Sequence, residues 1–166
     1  MSELNKVLHA AIRLKLATIV VASRTRPAWY EAWAELVPES TNEERLAVYQ
    51  AVRDSGCLPV EAGFYLVSWQ IETMATEVTN VTLDDLDDQL AAIEEAHGLE
   101  LGTPWPTSKA PKEWQEINHA WEAAWDDAFV GKLEEFGEHD MACQFRADPV
   151  GFENRRSRGR EFFHGR

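Results

Sequence analysis

The stretch Pro59–Glu77 reads PVEAGFYLVSWQIETMATE, and its periodicity decides the fold. A helix advances about 100° per residue, which puts Val60, Phe64, Val67, Ile71, Met74 and Val78 on one side. Tyr65, Leu66, Trp69 and Thr73 form a second, largely apolar side. A helix apolar on two sides belongs at the centre of a bundle, not on its surface. Between the two sides lie Glu61, Ser68 and Glu72. A carboxylate so placed loses water and requires a partner or a proton. Glu72 is therefore expected either to bond a Tyr, Trp or Arg or to serve as a functional carboxylate in a cleft.

The punctuation around this segment is that of a helical domain. Ser2 can cap a first helix to about Ala22, although the β-branched character of Leu16–Val21 leaves helix or strand open there. Pro27 suits the first turn of a short helix carrying Trp29, Trp33 and Leu36, which Pro38 ends. Thr41 followed by Glu44 is a capping box for a helix to about Asp54, with Gly56 as its stop. The central helix then runs from Pro59 to about Glu77. Thr82 is expected to cap an acidic helix over residues 83–97, closed by Gly98. Pro104, Pro106 and Pro111 make Gly102–Pro111 a crossover loop. A long helix follows to about Phe136 and stops at Gly137, and Asp148-Pro149 opens one more short helix before an arginine-rich end.

These elements make an all-α, single-domain, irregular bundle of six to seven helices with a basic C-terminal tail. Residues 1–150 are read as the helical domain. Residues 151–166 are read as an Arg/Phe-rich tail, packed on the domain or mobile.

The chain has 166 residues and a net charge of −13, unevenly distributed. Residues 1–26 sum to +4, residues 152–166 to +3, and the body between them to −20. Such a body repels polyanions, so nucleic acid and anionic membrane are not the expected partners. No run of 18 apolar residues exists, and no transmembrane helix is expected. Lys6, Arg13 and Lys15 before the seven-residue run Leu16–Ala22 are too dispersed for a signal peptide, and the reading is cytoplasmic. Cys57 and Cys143 form no CxxC and are expected to be buried free thiols.

Each candidate site is tested by its helical phase. In the helix after Pro111, Trp114, Ile117, Trp121, Ala124, Trp125, Ala128 and Phe129 share one side and are expected to pack in the core. Glu-x-x-His, which di-metal carboxylate bundles use to aim two ligands inward, occurs at Glu94–His97, Glu116–His119 and Glu161–His164. Glu116 and His119 fall opposite the Trp side. Glu161–His164 lies at the very end of the sequence. Only Glu94 and His97 remain as weak metal candidates, and His97 before Gly98 equally suits a helix C-terminus. No metal or cofactor is expected. No GxSxG, Walker A, GxGxxG or HExxH is present.

Two function classes follow. The first is a non-enzymatic interaction or regulatory domain that uses an acidic helical surface, Asp84, Asp85, Asp87 and Asp88, toward a protein partner. In it the tail arginines Arg155, Arg156, Arg158 and Arg160 bridge to acidic helices, with Phe162 and Phe163 as anchors. The second is a small helical enzyme or ligand-binding protein, with Glu72, His97, Glu61 and Ser68 as candidate pocket residues.

Overall fold

The computed structural model describes residues 41–54, 56, 58–99 and 109–164, without the side chains of Phe163 and His164. The expectations for the two N-terminal segments, for Cys57, for most of the 102–111 loop and for the His164 side chain lie outside these residues. Among the described residues the chain is all-α, with six helices and no strand. They are α1 (Asn42–Asp54), α2 (Val60–Thr82), α3 (Asp84–Ala96), α4 (Lys112–Glu135), α5 (His139–Ala147) and α6 (Pro149–His164). The chain divides into two compact units. Among the described residues, one unit comprises those up to Glu72 and from Glu138 onward, and the other those between Thr73 and Gly137.

The first unit is organised by the N-terminal part of α2. Ala62 to Ser68 are all buried, as a central helix requires. α1 begins at the expected capping box: the Thr41 N–H donates to Glu44 Oε1 at 3.3 Å, and the Glu44 N–H to Thr41 Oγ1 at 3.2 Å. α1 buries Leu46, Val48, Tyr49 and Val52. Its start lies beside the middle of α2, where Gln70 Nε2 donates to Asn42 Oδ1 at 3.1 Å. Its end lies beside Gly63, so the two helices run antiparallel.

Phe152 of α6, with no exposed surface, sits edge-on to Phe64 of α2 (4.9 Å, 63°) and to Phe145 of α5 (5.3 Å, 83°). Edge-on rings set positive edges against negative faces, so this cluster adds directional attraction to apolar burial.

α6 is longer than the short helix expected, because it runs through the arginines to His164. It opens as the sequence indicated: Asp148 Oδ1 accepts the Gly151 N–H at 3.0 Å and Pro149 takes the first helical position. Its stripe is Phe152, Arg155, Arg156 and Gly159, an i, i+3, i+4, i+7 series hidden by its polar members. Gly159 is needed for the approach to α2. A Cβ there would fall against the Glu61 carbonyl oxygen and 2.6 Å from Tyr65 Cβ.

α5 was not expected. Its nine residues bury Met141, Ala142 and Phe145. Cys143 falls on the opposite side and is exposed and free, correcting the expectation that it is buried.

In the second unit, α2 continues to Thr82, beyond the end expected near Glu77, and Thr82 does not cap α3. No Gly or Pro interrupts residues 77–82, and Thr79 keeps its hydroxyl inside the helix by donating to Thr76 O at 3.1 Å. Buried Leu83 is the single joint between α2 and α3. α3 ends in a Schellman closure: Leu99 N–H donates to Glu94 O at 2.9 Å and Gly98 N–H to Glu95 O at 3.0 Å. Gly98 occupies the left-handed region at φ 72°, which glycine enters without a Cβ clash. α3 packs on α4, yet no residue within α3 is fully buried. On α4 only Phe129, Val130 and Leu133 are. The tryptophan side of α4 is therefore half-buried, and not the sealed core seam its spacing suggested.

Candidate functional site

The polar line on α2 faces α6. Glu61, Tyr65, Ser68 and Glu72 recur at i, i+4, i+7 and i+11, so one helical face carries all four. Arg155 Nε donates to Glu61 Oε1 at 3.2 Å and Oε2 at 3.3 Å, and its Nη1 donates to Gln144 Oε1 at 2.8 Å. Its guanidinium also lies over the Phe64 ring, 4.0 Å from the centroid. Arg158 Nη2 stands 3.6 Å from Glu61 Oε2. Arg156 reaches Glu153 Oε1 through Nη1 at 3.0 Å and Glu72 Oε2 through Nη2, with only 11% of its side chain exposed.

The carboxylates singled out in the central helix are thus bonded by arginine, one of the partners their burial demanded. They join α6 to α2. Ser68 is fully buried and donates to Tyr65 O at 3.2 Å, so its hydroxyl meets no solvent. Burial pushes the Tyr65 phenol above its ordinary value, an effect opposed by the positive charges of Arg160 and Arg156.

Glu138, more deeply buried than Glu61 or Glu72, was not anticipated. Glu138, between Gly137 and α5, accepts from Gln50 Nε2 at 3.0 Å and from Arg53 Nη1 at 2.7 Å. Burial alone would lower the Arg53 guanidinium, but its bonds to Asp54 and Glu138 outweigh burial and hold it above its ordinary value. Both partners of Glu138 lie in α1, 88 and 85 residues away in sequence. No local pattern could signal that contact.

In the second unit, Glu94 Oε1 accepts the Trp114 indole N–H at 3.2 Å. His97 follows the last turn of α3 and is exposed. Glu72 and His97 belong to different units. Glu116 and His119 point to solvent, with 67% and 72% of their side chains exposed. Among the described residues no group of three His, Cys, Asp or Glu side chains could hold a metal ion. No helix among them is long and apolar enough to cross a membrane.

Asp84, Asp85, Asp87 and Asp88 all stand exposed in the first turns of α3, a position the helix dipole favours for acids. None has a side-chain hydrogen bond or ion pair among the described residues. On α4, desolvation and then the negative charges of Glu122 and Asp127 push the Asp126 carboxyl above its ordinary value. Residues 73–137 hold fifteen acidic and three basic side chains, a net charge of −12.

Comparison with protein-family models, characterised proteins and solved structures finds no match to this chain.

Proposed function

We propose that the protein is a non-enzymatic interaction domain that presents the acidic α3–α4 unit to a basic surface on a partner protein. The observation that carries this reading is the unequal use of the two kinds of acid. Glu61, Glu72 and Glu138 are bonded to arginines inside the first unit. Asp84, Asp85, Asp87 and Asp88 remain exposed and without partners among the described residues. Beyond the helix-dipole gain of the first turn, exposed like charges add little to folding and cost some self-repulsion, but they raise the encounter rate with an oppositely charged partner. The alternative of a catalytic pocket around Glu72 and His97 has no such support, since Glu72 is paired with Arg156.

The test is affinity capture of a lysine-rich protein ligand by the whole chain at about 0.1 and 0.5 M salt, where screening shortens to within roughly 10 and 5 Å. Capture at low salt, loss at high salt and loss in the quadruple variant D84N/D85N/D87N/D88N support the reading. Binding that ignores salt and that variant overturns it.

A further inference from the structure

The α3–α4 unit carries more than charge. Leu86, Leu90 and Ile93 of α3 form an i, i+4, i+7 stripe, and Ile117, Trp121 and Trp125 of α4 form an i, i+4, i+8 stripe. All six are half-buried, although α3 and α4 pack on each other. A pair of helices that leaves both stripes partly open to water keeps apolar surface on which a third helix can lie. Tryptophan suits such a place, because it brings a large apolar face and an N–H that seeks an acceptor. The Trp114 N–H has Glu94 as acceptor. The Trp121 N–H is shielded from water and has no acceptor among the described residues.

The edges of the seam decide the character of the occupant. Glu122 and Asp126 lie about 80–120° from Trp114 around α4, beside the aromatic side, and Asp87 flanks the α3 stripe. Desolvation raises the Asp126 carboxyl, and the negative charges of Glu122 and Asp127 beside it act in the same direction. Cations are few in the unit: Lys132 is 2.9 Å from Glu135, and Lys112 is 3.9 Å from Glu116. A second copy of the chain would set acid against acid along both edges, which costs binding energy.

We propose that the α3–α4 seam takes a cationic amphipathic helix of a partner protein, its apolar stripe on the tryptophans and its Lys/Arg flanks on the carboxylate edges. The proposal rests on the acidic-face reading above and names the partner's class.

Three synthetic peptides of about 18 residues, five helical turns, test it on the whole chain. The first is a Leu/Lys helix with a single apolar face. The second has the same composition scrambled so that no apolar face forms. The third is the first with Glu in place of Lys. Titration is followed by calorimetry and by the protein's tryptophan emission. The expected result is that the first peptide binds at least about tenfold tighter than the second, with a blue shift, and that the third does not bind. Glu122→Lys with Asp126→Lys, both exposed changes, should erase most of that advantage.

Equal binding of the first two peptides overturns the seam and leaves the acidic face standing. No binding of either cationic peptide overturns both. A concentration-dependent blue shift without peptide assigns the seam to a second copy and overturns the proposal.

Discussion

Arg156 divides its guanidinium between Glu72 of α2 and Glu153 of its own helix α6, and only 11% of its side chain meets solvent. Its Nε is buried without an acceptor among the described residues, so the ion pairs carry the satisfaction of this side chain. Removing one partner of such a pair leaves the other desolvated and unpaired. Arg156→Met is expected to lower stability by about 1–3 kcal/mol, below the range for full burial because Glu72 keeps 32% of its side chain exposed. The double variant Glu72→Gln/Arg156→Met should recover part of the loss. Urea denaturation of the two single variants and the double variant checks this through the coupling energy.

Gly159→Ala tests the close contact of α6 with α2. The new methyl would meet the Glu61 backbone and Tyr65 Cβ, and backbone cannot swing aside as a side-chain tip can. Overpacking of this kind costs about 1–3 kcal/mol. Gly131→Ala in α4, where nothing lies within 4 Å, is the opposite control. It should stabilise by up to about 1 kcal/mol through helix propensity. Thermal melting of both variants gives the two signs directly.

Asp126 is pushed up by desolvation and by Glu122 and Asp127, so its charged form opposes folding. A carboxyl raised in the folded state binds its proton to higher pH there than in the unfolded chain. Stability therefore falls as pH rises from the ordinary carboxyl value of 3.8 through the raised folded value. Asp126→Asn is expected to remove this penalty at neutral pH, a gain of about 0.2–0.5 kcal/mol after allowance for solvent screening. The gain should shrink as salt rises. Melting temperatures at pH 7 in low and high salt check it.

Tyr65 gives the alkaline counterpart. Burial raises its phenol, so above the ordinary phenol value of 10.0 the unfolded chain loses this proton first and stability declines with rising pH. Tyr65→Phe is expected to remove that part of the decline. Equilibrium unfolding of both proteins between pH 9 and 11, a window of about one unit on each side, measures the difference.

Cys143 is exposed and free. It is expected to react with a maleimide in the native chain as fast as in denaturant, within a few-fold, and Cys143→Ser should leave stability within about 0.5 kcal/mol. Mass spectrometry of the native alkylated protein identifies the residue.

The sequence exposed local chemistry well and distant chemistry poorly. The Thr41/Glu44 box and the stop at Gly137 are short-range signals that lie where their residues placed them, whereas the apolar pattern of α2 holds only in part: Phe64, Tyr65, Leu66, Val67, Ile71 and Met74 are buried, but Val60, Trp69 and Val78 are exposed. The partner class of Glu72 was readable because burial alone demands one. The identity of Arg156, 84 residues away, was not. α5 escaped because nine residues with three apolar side chains make too brief a period. α6 was cut short because its contact stripe includes Arg155, Arg156 and Gly159, residue types that ordinarily mark a solvated or broken segment. Glu138 had no local sign, since both of its partners come from α1.

The acidic α3–α4 unit is the centre of this account, and the salt dependence of its binding tests it most directly. The dissociation constant of the single-faced Leu/Lys peptide should be measured on the whole chain and on D84N/D85N/D87N/D88N across a series of salt concentrations. Affinity is expected to weaken steeply with salt in the unaltered chain and far more gently in the variant. Parallel, shallow dependences in the two proteins would contradict it.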